Sequence, residues 1–143
     1  IVRVASLSYY LETTPSLVYT KPTIIGKIEY DGDVHQEGRW KETKYPGHTK
    51  YPPFPLGSCG HVVSRPVAEY IAKHKSQLTE YQGEDTSIAI WMHESPLKVE
   101  VMHSDSFEND GKCENPNLFI IGHDLSMDKI RECFKIGDEV QPI

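Results

Sequence analysis

The chain opens with Ile1, Val2, Val4, Leu7, Tyr10 and Leu11, a spacing that predicts a short helix over residues 1–12 rather than a strand. After Pro22 the period changes, and Thr23-Ile24-Ile25-Gly26-Lys27-Ile28-Glu29-Tyr30 alternates well enough for a strand. Asp31-Gly32-Asp33 then reads as a tight hairpin turn, because Asp-Gly suits positive φ angles. Residues 42–57 hold Pro46, Pro52, Pro53, Pro55, Gly47 and Gly57, which predicts an irregular loop ordered only by packing. Helical spacing returns at Ser64, a good N-cap, with Pro66 in the first turn and Val67, Tyr70, Ile71, His74 and Leu78 behind it. A second helix begins near Glu84-Asp85, whose charges suit the positive end of the helix dipole, with Ile88, Trp91 and Met92 on one face. Leu118-Phe119-Ile120-Ile121 predicts a buried strand ended by Gly122-His123-Asp124. Ser126 caps a third helix through Met127, Ile130 and Phe134. Strands and helices alternate, so the fold class is α/β, in a single domain over 1–143.

With 143 residues, 38% hydrophobic and 25% charged, the chain is large enough for one real core. Its formal charge of −6 argues against a polynucleotide partner, which would call for a basic face. The apolar runs Ile88–Met92 and Leu118–Ile121 fall far short of the roughly 20 residues needed to span a bilayer. The chain starts at Ile1 without a signal-peptide pattern, so it is expected to be a piece of a longer protein, with any membrane anchor outside it.

Cys59, Cys113 and Cys133 form no C-x-x-C pair, which disfavours a common structural zinc site. One disulfide plus a free thiol and three free thiols both remain open. Cys113 and Cys133 are the natural partners, since the strand between them can return the chain. Closing that loop of about twenty residues would stabilise by roughly 3 kcal/mol.

Four places could carry chemistry. Asp31-Gly32-Asp33 is a literal D-x-D, the pattern that holds a divalent ion in many sugar-nucleotide enzymes, although a turn explains it fully. Cys59 and His61 share a face of an extended chain, as a thiol and its base would, but nothing marks a third, orienting group. Gln82-Gly83-Glu84-Asp85 places a carboxylate pair at a helix start behind a glycine. One carboxylate can serve as a base while the other anchors the loop, or both can serve the dipole alone. His123 follows an apolar strand, where ligands of α/β sheets collect, and a structural histidine is the plainer reading. His35, His48, His74, His93 and His103 sit in polar context and read as surface residues.

In order, the chain carries Ile25-Gly26-Lys27, Arg39-Trp40-Lys41, Tyr45-Pro46, Tyr51-Pro52-Pro53-Phe54 and Gly57-Ser58-Cys59-Gly60-His61-Val62-Val63-Ser64. The series ends in Tyr81-Gln82-Gly83-Glu84-Asp85-Thr86-Ser87-Ile88-Ala89-Ile90-Trp91-Met92. From about residue 18 to about 135 this series resembles the C-terminal half of the inverting β-1,3-galactosyltransferase family, nearest its β-1,3-N-acetylgalactosaminyltransferase branch.

The resemblance implies the C-terminal part of a GT-A (Rossmann-like) domain that transfers a hexose or N-acetylhexosamine from a UDP-sugar to a glycan or glycoprotein acceptor with inversion. It implies Asp85 as catalytic base beside Glu84, and Trp40, Tyr51, Pro53, Gly57, Ser58, Gly60 and Gly83 at the substrates. It implies His123 as a ligand of Mn²⁺, on the same side of the sheet as Asp85. It further implies a type II membrane protein of the Golgi or ER lumen. The family's metal-binding D-x-D stands upstream of the Gly-Lys strand. Asp31 and Asp33 stand downstream, so they are expected at an exposed turn far from His123, with the true motif before Ile1 and this fragment inactive alone. Cys59 stands where glycine is common and His61 where an aromatic residue is common.

A carboxyl group of ordinary acidity is ionised at neutral pH, so an aspartate base needs no special environment. Gly57 and Gly60 are expected to let backbone approach the sugar. Two alternatives stand beside this reading: an inactive glycan-binding module of the same fold, and an unrelated metal-dependent hydrolase using Asp85 and His123.

Overall fold

The computed structural model describes residues 4–13, 20–109, 123 and 125–139. Helix α1 (Val4–Thr13) is followed by strand β1 (Thr23–Gly26), the short strands β2 (Ile28–Glu29) and β3 (Phe54–Pro55), and a single 3₁₀ turn over Gly57–Cys59. Strand β4 (His61–Val63), helix α2 (Arg65–His74), helix α3 (Glu84–Glu94), strand β5 (Glu100–His103) and helix α4 (Met127–Glu139) complete the described elements.

Strand β1 is the middle of a three-stranded sheet, antiparallel to β4 and parallel to β5. Ile24 stands opposite Val63 and Val101, and Gly26 opposite His61 and His103. All four residues of β1 are buried because helices cover both faces. Successive side chains leave a strand on opposite sides. Ile24 therefore meets Val67 of α2 and Ile88 and Met92 of α3. Ile25 meets Cys59 and Phe107 on the other face, with Leu7 and Tyr10 of α1 packed against them. Each such isoleucine contributes about 1.5–3 kcal/mol of burial. The mixed sheet with helices on both faces agrees with the α/β expectation.

The strand expected over 23–30 breaks at Lys27. Its carbonyl accepts from Leu56 N at 2.8 Å and its ammonium reaches Glu108. Ile28 then leaves the main sheet and pairs with Pro55 in a separate two-stranded ribbon. Ile28 N donates to Nδ1 of His103 at 3.1 Å, and Nε2 of that ring pairs with Asp105. His103 is thus a link between β5 and β2 rather than a mere surface residue.

Asp31-Gly32-Asp33 is a bend but not a hairpin turn. Positive φ is found at Gly38, Gly47 and Gly60, not at Gly32. The β2 and β3 strands are joined by a long loop that folds back on itself, with Tyr51 N donating to Gly32 O and Asp33 bridging to Lys50. Gly32 suits the bend because a Cβ there would run into the Phe54 ring. The Pro-rich stretch is irregular, as expected, and aromatic packing orders it. Tyr45, Tyr51 and Phe54 are buried with Val34 against Ala89 and Ile90 of α3. The Tyr45 and Tyr51 rings lie 6.1 Å apart, and Tyr51 meets Phe54 edge-on at 5.7 Å.

Ser64 occupies the N-cap of α2, but its hydroxyl accepts from Thr23 N at 2.8 Å instead of from its own helix. It ties the helix to the start of β1. Helix α3 does not bury one face alone. Burial runs through Thr86–Ile90 and Met92, because the helix is wedged between the sheet and the aromatic loop. Ser126 caps α4 as expected, its Oγ accepting from Lys129 N. Cys133 is buried and disulfide-bonded, and Cys59 is a buried free thiol. Cys113 and the strand expected at Leu118–Ile121 lie outside the described residues. No described helix is long and apolar enough to cross a membrane.

Candidate active site

Helix α3 begins at Glu84 with Gly83 in the N-cap position, so Asp85 lies in the first turn. First-turn amides have no partner within their own helix and must find one elsewhere. Asp85 Oδ1 accepts from Thr86 N at 2.8 Å, and Oδ2 accepts from Gly57 N at 2.9 Å. Two backbone donors therefore fix the carboxylate from opposite ends. A carboxylate offers about four acceptor positions, which leaves two for other partners. The Gly83 carbonyl accepts from Ser87 N and from the Thr86 and Ser87 hydroxyls, closing the turn beneath it.

A Cβ on either side of this carboxylate would crowd it. A Cβ at Gly57 would stand 2.5 Å from Glu84 Oε1 and 3.0 Å from Asp85 Oδ2. A Cβ at Gly83 would stand 2.5 Å from Asp85 Oδ1. The freedom expected at Gly57 for a sugar is used here by the acidic pair.

Asp85 and Glu84 line an open cavity of about 690 Å³. Of the residues singled out in the sequence, Trp40, Tyr51, Gly57, Ser58, Gly83 and His123 also line it. Pro53 and Gly60 do not. Pro53 is exposed, and Gly60 closes the 3₁₀ turn with φ +68°. Gln82 of the Gln82-Gly83-Glu84-Asp85 motif belongs to the wall as well, as do Glu29 and Leu56, which no motif had marked. Trp40 is 53% exposed, with the Arg39 guanidinium 4.7 Å above its ring. A flat, half-exposed aromatic face at a cavity mouth suits the apolar face of a sugar ring.

The expectation that Asp31 and Asp33 stand far from this place is corrected, because both line the same cavity as His123. The folded-back loop brings them there. They do stand at an exposed bend, with side chains 84% and 72% exposed, and Lys50 bridges them at 3.2 and 2.7 Å. Its ammonium holds the Asp33 carboxyl below its usual range.

A buried carboxylate that sequence reasoning missed lies behind the wall. Glu42 is 6% exposed, and its two oxygens accept from Lys44 N at 2.5 Å and Gln82 N at 2.7 Å. Burial raises the Tyr51 hydroxyl above its ordinary value, and the negative charges of Glu42 and Asp85 add to that.

His61 lies at the head of β4 outside the cavity, and its Nδ1 is a buried atom with no hydrogen-bond partner among the described residues. Burial lowers its basicity, partly opposed by Glu84 and Asp85. Cys59 sits in the apolar cluster of Ile25 and Phe107, and no hydrogen bond joins it to His61. A thiol and its base are therefore not assembled here.

The described residues do not amount to a metal site. Among them no group of three or more His, Cys, Asp or Glu side chains could hold an ion. His123 is exposed at the cavity, with its backbone N–H on Asn109 Oδ1, and the two nearby aspartates are already paired with Lys50.

No family model matches the chain. Over 67 residues, 47% of its length, it is 39% identical to the human protein named UDP-GalNAc:beta-1,3-N-acetylgalactosaminyltransferase 2. The mouse and zebrafish proteins of the same name are 39% and 40% identical over 67 residues. The matched stretch covers 13% of the length of each of these relatives. The resemblance drawn from the ordered motifs holds over this stretch, where the chain is similar to proteins named as β-1,3-N-acetylgalactosaminyltransferases.

Proposed function

We propose that this chain belongs to a hexosyltransferase that moves N-acetylgalactosamine from UDP-GalNAc to a glycan acceptor hydroxyl, in a β-1,3 linkage and with inversion. The observation that carries this reading is the Asp85 carboxylate, held between Gly57 N and Thr86 N at a cavity that Trp40 also lines. The donor follows the names of the relatives. In the reaction, Asp85 takes the proton of the acceptor hydroxyl as its oxygen bonds to the anomeric carbon. The bond from that carbon to the UDP oxygen breaks on the opposite face, and UDP carries the electron pair away. A general base of this kind contributes about 10²–10⁴ in rate. Trp40 would stack a sugar ring, and the fixed amides keep the base from swinging away.

The same reading places residues 1–143 in one domain, the C-terminal part of a GT-A fold, within a type II protein of the Golgi or ER lumen. His123 is the residue assigned to a divalent ion, Mn²⁺ by its mixed carboxylate and imidazole preference. Because the described residues hold no ligand set, no step is routed through that ion. The test is transfer from UDP-GalNAc by the full-length protein, with and without Mn²⁺, with the product's anomeric configuration read by NMR. A β-linked product supports the reading. Sugar binding without turnover would favour an inactive module, and cleavage of an unrelated substrate a hydrolase. Either outcome overturns it.

A further inference from the structure

We propose that Glu42 is a positioning residue for Asp85, setting the base and the Trp40 wall at a fixed separation. This rests on the transferase reading above. Glu42 is buried, and both of its oxygens are used by backbone amides from two different segments. One is Lys44 N, in the loop that carries Trp40. The other is Gln82 N, which opens the Gln82-Gly83-Glu84-Asp85 turn. A carboxylate gives each N–H an oxygen of its own, whereas the glutamine amide of the same length has one acceptor oxygen and an NH₂ in place of the other.

Other contacts run along the same seam. The Lys44 ammonium donates to Glu80 O at 2.8 Å, Gln82 Nε2 reaches Arg39 O at 3.5 Å, and Tyr45 meets Tyr81 edge-on at 5.7 Å. The loop and the turn are thereby held as one piece across 40 positions of sequence. Glu42 touches no cavity surface itself. It acts through Gln82, three residues before the base.

Replacing the carboxylate by an amide leaves an acceptor for one N–H and turns an NH₂ toward the other. The turn is then free to shift, and a misplacement of about 1 Å can cost about 10² in rate. In the full-length protein, Glu42→Gln is expected to lower kcat between about tenfold and a hundredfold while the donor KM stays within about twofold. Glu42→Asp, which keeps the charge but is one methylene shorter, should recover only part of the rate. In the Asp85→Asn background, Glu42→Gln should cause no further loss, because its effect passes through the base. A merely structural role would instead lower activity in step with the folded fraction and add to Asp85→Asn.

Hydrogen exchange of the unmodified protein gives a measurement that needs no variant. The Gln82 amide should be protected, and free exchange there would overturn the inference even if Glu42→Gln fails to fold. Wild-type transfer with an unimpaired, folded Glu42→Gln protein would overturn the inference alone. Absence of transfer in the wild type would overturn the reaction, and the role with it.

Discussion

Two acidic pairs face the same cavity and are held in opposite ways. Glu84 and Asp85 open a helix, and Asp85 is fixed by two backbone amides, one of them 28 positions away in sequence. Asp31 and Asp33 sit on an exposed bend and share the ammonium of Lys50, which stands on a flexible four-carbon stem. Backbone donors cannot swing away when a substrate arrives, whereas a lysine can. Under the proposed reading, this difference is what suits Asp85, rather than Asp31 or Asp33, to act as the base. Proximity to the cavity is common to both pairs, and preorganisation belongs to one.

Breaking the better-held pair should have the largest effect. Asp85→Asn is expected to lower transfer by about 10²–10⁴, measured as kcat at saturating donor. It also leaves one amide facing an NH₂, so urea unfolding should show a loss of about 1–2 kcal/mol. Near-normal turnover would put the base elsewhere. Next comes Gly57→Ala, whose methyl group would press on both carboxylates. A fall of about 10² in kcat/KM is expected, with substrate binding by titration little changed. If the variant works normally, close support from Gly57 is not what aims the base.

His61 gives a smaller effect, on stability. Because burial lowers its basicity, the folded state resists the proton that the unfolded chain accepts near pH 6.5. Stability is therefore full above that pH and declines as pH falls toward the lower folded value. His61→Phe removes both the titration and the orphaned Nδ1. It should raise stability by about 1 kcal/mol and flatten the melting temperature between pH 7 and about 5.5. A decline just as steep in the variant would assign it to other groups.

The smallest effect is expected from the second pair. Asp33→Asn should leave transfer and the melting temperature at neutral pH nearly unchanged, since exposed ion pairs contribute little. Its carboxyl is held low by Lys50, so what it contributes is present above about pH 3.9 and lost as pH falls through the folded value. A large loss of transfer in Asp33→Asn would erase the contrast between the two pairs.

Legibility followed the range of the interactions. The N-caps at Ser64 and Ser126 and the acidic start of α3 are local, and each was readable from a few neighbours. Strand β5 went unmarked although Val99 and Val101 alternate with polar residues and Ser95-Pro96 and Ser104-Asp105-Ser106 flank the run, because the run is short and its alternation stops at Met102. The meeting of Gly57 with Asp85 depends on how the loop closes, and only the ordered motif series put both residues on one list. Glu42 had no signal at all. It stands among Arg39, Lys41 and Lys44 and looks like any solvated charge, and only tertiary packing buries it. The kinship of Asp31 and Asp33 with the cavity was missed for a related reason. A hairpin turn would have sent the chain straight back, and the real bend starts a long excursion instead.

The seam between Glu42 and Gln82 also orders events in time. Helix α2 can form from neighbours in sequence, whereas the Glu42–Gln82 and Gly57–Asp85 bonds must await closure of loops across 40 and 28 positions. Contacts of such high sequence separation join late in folding. Refolding from denaturant should therefore restore the helical circular dichroism before it restores transfer.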